Sequence, residues 1–387
     1  MDNGKVIGDT VYKEEATTEA GYAGPPVWTW SDDVRLTSDA SNSRDSNIAS
    51  NGDYVHVVWA DERDGNYEIY YKRSIDGGVT WGDNIRLTIA DHTSYRPYLA
   101  VSGSNVYVVW KDVRDLNYRI YFKKSADNGA TWGDDTLLSD TGDLQSWYTS
   151  IAASNDYVYV FWEDNRNGNS EIYYKISTDN GVTWGDDTRL TTTDLRSTLP
   201  IVAASGDNVH VVWQDERDLE DYFEIYYKKS SNNGATWGDE VRFTNNISIN
   251  ENAFIRADGN NVHIIWYETN FDIYYKRSTD NGDTWSDTEG LVVSGTYSIT
   301  PRFAVNGDNI YLVWEDNKDN DEFDFDIHYM KSADGGVTWG DDTRLTTAAS
   351  VFIVFPFIAV SNDNVHITWT DERDGNYEIY YKRGYYD

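Results

Sequence analysis

Short runs of alternating apolar and polar residues, separated by clusters of Asn, Asp and Gly, recur from about residue 27 to the end of the chain. In the first complete unit they cover residues 48–50, 54–59, 67–72 and 85–88. β-Branched and aromatic runs bounded by turn residues are the mark of strands, and no stretch carries the 3.6-residue period of an amphipathic helix. The pattern therefore predicts an all-β chain of four-stranded modules, each roughly 50 residues long.

The second strand of each module closes on a tryptophan: Trp59, Trp110, Trp162, Trp213, Trp266, Trp314 and Trp369. Seven such residues predict seven modules. The last module runs out at residues 380–383 without a fourth strand, and the chain begins in mid-module, because residues 34–37 match residues 85–88. We therefore expect a single seven-bladed β-propeller of four-stranded antiparallel blades over residues 27–387, its last blade completed by the N-terminal strand. Closure of this kind removes the open sheet edges. Residues 1–26 are polar and contain Gly24-Pro25-Pro26, which reads as a flexible leader.

Between third and fourth strands one string repeats, S-x-D/N-x-G-x-T-W, with its acid or amide and its tryptophan at Asp76 and Trp81, Asp127 and Trp132, Asp179 and Trp184, Asn232 and Trp237, Asp280 and Trp285, and Asp334 and Trp339. The hydroxyls and the carboxylate suit a tight turn, the glycine a positive φ, and the indole an anchor on neighbouring strands. The string resembles that of the Asp-box repeat proteins of the sialidase-like superfamily. That resemblance implies a propeller whose ligand sites, where they exist, lie on the face opposite the Asp boxes. It selects no single activity, since such propellers include hydrolases, sorting receptors and assembly factors.

Composition narrows the partners. With 66 acidic and 32 basic residues the net charge is −34, which repels nucleic acid and anionic membrane surfaces. There is no cysteine and no apolar run long enough to span a bilayer, so neither disulfides nor membrane insertion are expected. A monomer that is secreted or displayed at the cell surface, binding a glycan or a protein, fits these features together with the resemblance.

Candidate chemistry comes from departures from the repeat. Seven acids end the second strands: Asp61, Asp112, Asp164, Asp215, Glu268, Asp316 and Asp371. They suggest either locally paired turns, since six are followed two residues on by Arg63, Arg114, Arg166, Arg217, Lys318 or Arg373, or a ring for a hard cation such as calcium. No other cofactor is expected. Blade five has a shortened hairpin, with 9 residues from Trp266 to Tyr275 against 14 from Trp213 to Tyr227 and 15 from Trp314 to Tyr329, and this predicts a notch. Nearby, Arg256 replaces the small residue found as Ala49, Ala100, Ala152, Ala203, Ala304 or Ala359 in other blades. Arg256, Arg302 and Arg96 are candidates for holding a carboxylate, the role an arginine triad plays in sialidases; the Phe/Tyr-Arg-Ile-Pro motif of those enzymes is missing, and Tyr95-Arg96-Pro97 lacks its Ile. Trp147 and Tyr148, off the repeat, are candidates for stacking on a sugar ring or covering a neighbouring loop. Catalysis of sialidase type would call on Glu251, Tyr267 and Glu268, but adjacent strand residues face opposite ways, so Tyr267 and Glu268 are not expected to pair. The recurrent His56, His210, His263 and His366 read as packing residues. The leading expectation is a non-catalytic binding or scaffold propeller; the alternatives are an exo-glycosidase of sialidase type and a structural module of a surface assembly.

Overall fold

The computed structural model describes residues 27–386 except 115, 140–144, 220–221, 246–248, 294–296, 318–324 and 347–352; the expected leader over residues 1–26 lies outside the described residues. The chain forms seven antiparallel sheets arranged as the blades of a ring, with no helix among the described residues. In blade one the strands are Ser43–Asn51, Tyr54–Asp61, Glu68–Ser74 and Ile85–Arg86, ordered from the axis outward. The first strand begins five residues earlier than the hydrophobic pattern predicts, because its polar opening residues are paired across a bulge.

Each blade is locked to the one before it by its Asp box. Ser74 Oγ accepts the Gly78 N–H at 2.9 Å and donates to Asp76 Oδ1 at 2.7 Å, and Asp76 accepts the Thr80 hydroxyl at 2.6 Å. In blade four the amide of Asn232 instead donates to Thr236 Oγ1 at 2.8 Å, so the turn survives loss of the charge. The turn aims its tryptophan edge-on at an aromatic ring of the preceding blade: Trp81 at Tyr381, Trp132 at Tyr71, Trp184 at Phe122, Trp237 at Tyr174, Trp285 at Tyr227 and Trp339 at Tyr275, with centroids 4.8–5.6 Å apart. The box glycine completes the fit. A Cβ on Gly129, which has φ +76°, would sit 1.8 Å from the Tyr71 hydroxyl.

The ring closes as expected and further than expected. Val34 and Arg35 pair with Tyr381 and Tyr380, and Trp28–Trp30 continues the sheet by pairing with residues 384–386. Arg35 reaches Glu378 at 2.5 Å, the bond that Arg86 makes to Glu68 within blade one. Trp30 packs on Tyr329 at 4.8 Å and is the seventh blade-to-blade tryptophan.

Four of the recurrent histidines are sealed in the sheets. His56, His210, His263 and His366 face Tyr71, Tyr227, Tyr275 and Tyr381 through Nδ1 at 2.6–2.8 Å, as packing residues do. Burial first, and then a neighbouring Arg or Lys, pushes their pKa values down to about 3 or 4. The neutral form is therefore required by the fold.

Two outcomes follow. Removing residues 1–40 should lower the melting temperature markedly, and Trp30→Ala alone should cost about 3–5 kcal/mol, the usual range for a truncated packed aromatic; an unchanged melting temperature in both would show that closure does not support the ring. Stability should also fall with acid. The unfolded chain takes up protons on these histidines below about pH 6.5 while the folded chain does not, so their contribution is complete above that pH. It should decline by about 1.4 kcal/mol per pH unit for each histidine down to about pH 4. Melting curves between pH 7.5 and 5 would show this, and a flat profile would mean that these rings are not held neutral.

Candidate functional site

The innermost strand of every blade is interrupted once, by a register shift near its start. At each shift one residue has left-handed backbone: Asp45, Arg96, Tyr148, Leu199, Asn252, Thr300 and Phe355, with φ between 36° and 57°. No glycine is used. For Leu, Thr, Tyr and Phe this conformation costs on the order of 1–2 kcal/mol each, and such strain persists where the surrounding sheet over-determines it. The bulges turn these seven side chains toward the axis, on the face away from the Asp boxes.

Together they enclose a cavity of about 340 Å³, lined by all seven together with Tyr98, Lys111, Ile201, Arg302, Phe357 and their neighbours. Below it lies a second cavity of about 260 Å³, walled by the small residues of the repeat and by Arg256. The arginine candidates are thus divided. Arg96 and Arg302 line the upper cavity, and Arg256 belongs to the lower one. Arg302 and Arg256 lean on the same ring, Phe254, at 4.9 and 4.2 Å. Each donates to a carbonyl of its own strand, Arg302 to Pro301 at 2.8 Å and Arg256 to Ile255 at 3.1 Å. Burial, joined by the nearby Arg302 charge, pulls the Arg256 pKa down to about 10.

Lys111 rises into the upper cavity between the rings of Tyr95 and Tyr118, its Nζ 4.3 Å from each centroid. Burial, then the charge of Arg96, lowers its pKa to about 8. Arg96 spreads over Tyr148 at 5.1 Å. Among the described residues none of Arg96, Lys111, Arg256 and Arg302 forms an ion pair, and the buried Nε of Arg302 has no partner. Elsewhere the bases are widely used to hold the fold. Arg73, Lys124 and Lys229, for example, donate to carbonyls of the next blade's box.

The acids that end the second strands do not face this cavity. Asp61 accepts Ser43 Oγ, Trp59 Nε1 and both arms of Arg63, and Asp112, Asp164, Asp215 and Asp371 are held in the same way by Arg114, Arg166, Arg217 and Arg373. Asp316 accepts Ser298 Oγ and Trp314 Nε1, while Lys318 lies outside the described residues. Glu268, in the Asp position of blade five, is buried. Among the described residues no cluster of His, Asp or Glu offers a metal site. These carboxylates act as acceptors that tie the top of each blade.

Tyr267 turns away from Glu268, as alternation requires, and donates to Glu251 at 2.7 Å. Burial, then that carboxylate, raises the phenol's pKa and keeps it protonated. Tyr148 lines the cavity, whereas Trp147 stands outside it against Tyr118 at 6.3 Å. The expected notch is partly visible. Blade four is tall, with strands Asn208–Leu219 and Tyr222–Ser230, and blade five stops at Glu268, but the facing hairpin of blade six falls largely outside the described residues. The cavity is axial and draws on every blade, which the focus on blade five missed. A signal was present: proline follows the bulged residue in four blades, as Pro97, Pro200, Pro301 and Pro356, and proline inside a strand marks an edge or a bulge.

Ring, boxes and axial cavity define an Asp-box propeller. The chain belongs to the BNR repeat-like domain family, whose model matches residues 147–367. A search of curated proteins found no match. Among solved structures it is similar to a protein of unknown function from Dyadobacter fermentans DSM 18053, at 12% identity over 93% of this chain and 99% of that one, with a TM-score of 0.59. It is also similar to an ulvan lyase, a polysaccharide lyase, at 12% identity over 88% and 93% with a TM-score of 0.64, and to a Hadza microbial sialidase at 15% identity over 85% and 73% with a TM-score of 0.51. At such identities the likeness is one of fold.

Proposed function

We propose that this chain is a secreted or cell-surface propeller that binds an acidic, carboxylate-bearing sugar in the axial cavity opposite the Asp boxes, without turning it over. One observation carries the reading: Arg96, Lys111 and Arg302 line a single cavity with no ion-pair partner among the described residues, in a chain with twice as many acids as bases. Guanidinium forks match a carboxylate in bidentate geometry, and the desolvated Lys111 and Arg302 gain most from an anion that enters, while Arg96 is exposed at the mouth. Tyr98, Tyr148 and Phe357 offer aromatic faces to the apolar side of a sugar ring. A volume of about 340 Å³ lies in the range of small-ligand sites, roughly 300–1,000 Å³, and favours a sugar over a flat protein epitope. The fold neighbours that act on polysaccharides and sialosides support the same class of ligand.

An exo-glycosidase of sialidase type is favoured by one contact, the Tyr267–Glu251 hydrogen bond. Against it, Arg256 is in the lower cavity, and Tyr267 is protonated and absent from the cavity wall.

Calorimetry at low salt with galacturonic acid, N-acetylneuraminic acid and galactose tests the proposal. Binding of an acidic sugar in preference to the neutral one is expected. Arg302→Ala should weaken it by roughly 10- to 100-fold, the loss of a charged hydrogen bond worth about 1.5–3 kcal/mol. Equal binding of galactose, or no binding of either acid, would refute the reading. Release of a fluorophore from a sialic-acid conjugate would favour the glycosidase instead.

A further inference from the structure

The mouth of the cavity is not uniform around its rim. Immediately before the bulge, blades one to three carry Arg44, Tyr95 and Trp147, whereas blades four to seven carry Thr198, Glu251, Ile299 and Val354. On the first side cations and rings interleave without a break. The Arg44 guanidinium lies over Tyr67 at 4.1 Å, and its charge reaches Tyr95. Tyr95 meets Tyr118 edge-on at 6.4 Å with Lys111 between them, and Tyr118 meets Trp147. Tyr67, Tyr95, Tyr118 and Trp147 are all partly exposed. The buried Nε of Arg44 has no hydrogen-bond partner, and Arg44 forms no ion pair among the described residues.

The other side of the rim also has rings, with Arg196 over Phe223 at 5.7 Å and Phe271 packed on Tyr297 at 4.2 Å, but they are not strung together by cations as on the first side. Ile299 and Val354 are aliphatic, and the acids there are Glu251 and Glu315. Glu315 accepts the Phe355 N–H at 2.7 Å and the Thr300 hydroxyl, and burial raises its pKa to about 7. The acids on the cationic side are Asp45, Glu62 beside Tyr67, and Glu163, which pairs across from Trp147 and accepts the Thr198 hydroxyl. Asp45 sits among Arg44, Arg96 and Lys111; burial raises its pKa, and those three cations oppose the shift.

We infer that the ligand is an internal stretch of a linear acidic polysaccharide, with one uronate in the axial cavity and the adjoining residues leaving over blades one to three along Arg44, Tyr67, Tyr118 and Trp147. The inference rests on the acidic-sugar reading and adds to it a direction and a length. A site for a terminal sugar needs only the cavity. An arc of guanidinium and aromatic groups outside the cavity, continuous with the Lys111 ammonium inside it, matches a chain that presents a carboxylate and a ring face at each residue.

The test uses the full chain and galacturonate oligomers of one to six residues at fixed low salt, with affinity measured by calorimetry. Affinity should rise at least tenfold from the dimer to the tetramer or beyond. Trp147→Ala and Arg44→Gln should leave affinity for the monomer and dimer within about twofold while flattening the rise. Should Trp147→Ala lower the melting temperature, Arg44→Gln, at a partly exposed rim position, decides alone. Affinity that stops rising at the dimer, or a rise that survives both substitutions, would overturn the extended site while leaving the acidic-sugar site standing. Absence of binding at every length would remove both.

Discussion

The ring depends on one contact made seven times, an indole edge pressed on an aromatic ring of the preceding blade. A lone four-stranded sheet has two apolar faces and cannot bury either by itself, so stability arises between modules. The Asp box makes the contact directional. Its hydroxyls and carboxylate fold a turn that needs no neighbour, and the turn then carries Trp132, for example, onto Tyr71 across the blade boundary. The glycine at the tip is fixed twice over, by its left-handed backbone and by the tyrosine oxygen where its Cβ would stand. Because Trp30 and Tyr329 form the same contact, the two ends of the described chain are built into the ring on equal terms with every other module.

Against this repetition the axis is where the chain varies. Three residues past the bulge the innermost strand carries a bulky apolar side chain in every blade, and one further on it carries Ala in all but blade five. At the bulge itself it carries an acid, a base, two amphipathic or aromatic residues, an aliphatic, an amide and a hydroxyl. Blade packing does not constrain these positions, because the first strand has a partner on one edge only. Strained backbone and unpaired cations gathered there are costs that packing alone would not require. Blade five departs furthest: Glu268 stands for Asp, the Trp266 indole N–H finds no partner among the described residues, and Arg256 enters the lower channel.

Fold and site differed in how plainly they could be read from sequence. Seven closing tryptophans at near-constant spacing were enough for the blade count, and the match of residues 34–37 to residues 85–88 for the closure, because both are dictated by local turn chemistry and strand alternation. The pairing of Trp28–Trp30 was less visible, since nothing in residues 384–386 distinguishes a strand from a tail. The histidines could be assigned to packing because their position recurs. The bulge ring was hidden for a physical reason: left-handed residues usually announce themselves as glycine or asparagine, and only Asn252 does so here. Which way Arg96 faces was hidden at the same point, since a bulge inverts facing, and the four prolines beside the bulges were the trace left in the sequence. The Tyr267–Glu251 pair was missed because cross-strand partners depend on register, which alternation alone does not fix.

Placing Arg96 on blade two and Arg302 on blade six, across one shared axial space, has a mechanical consequence. Whatever is held between them would act as a rivet through the hub, reinforcing the contact that Arg302 already makes with Tyr98 across the axis. Occupancy would then be felt around the whole circumference, so that the wheel stiffens as one body when its centre is filled.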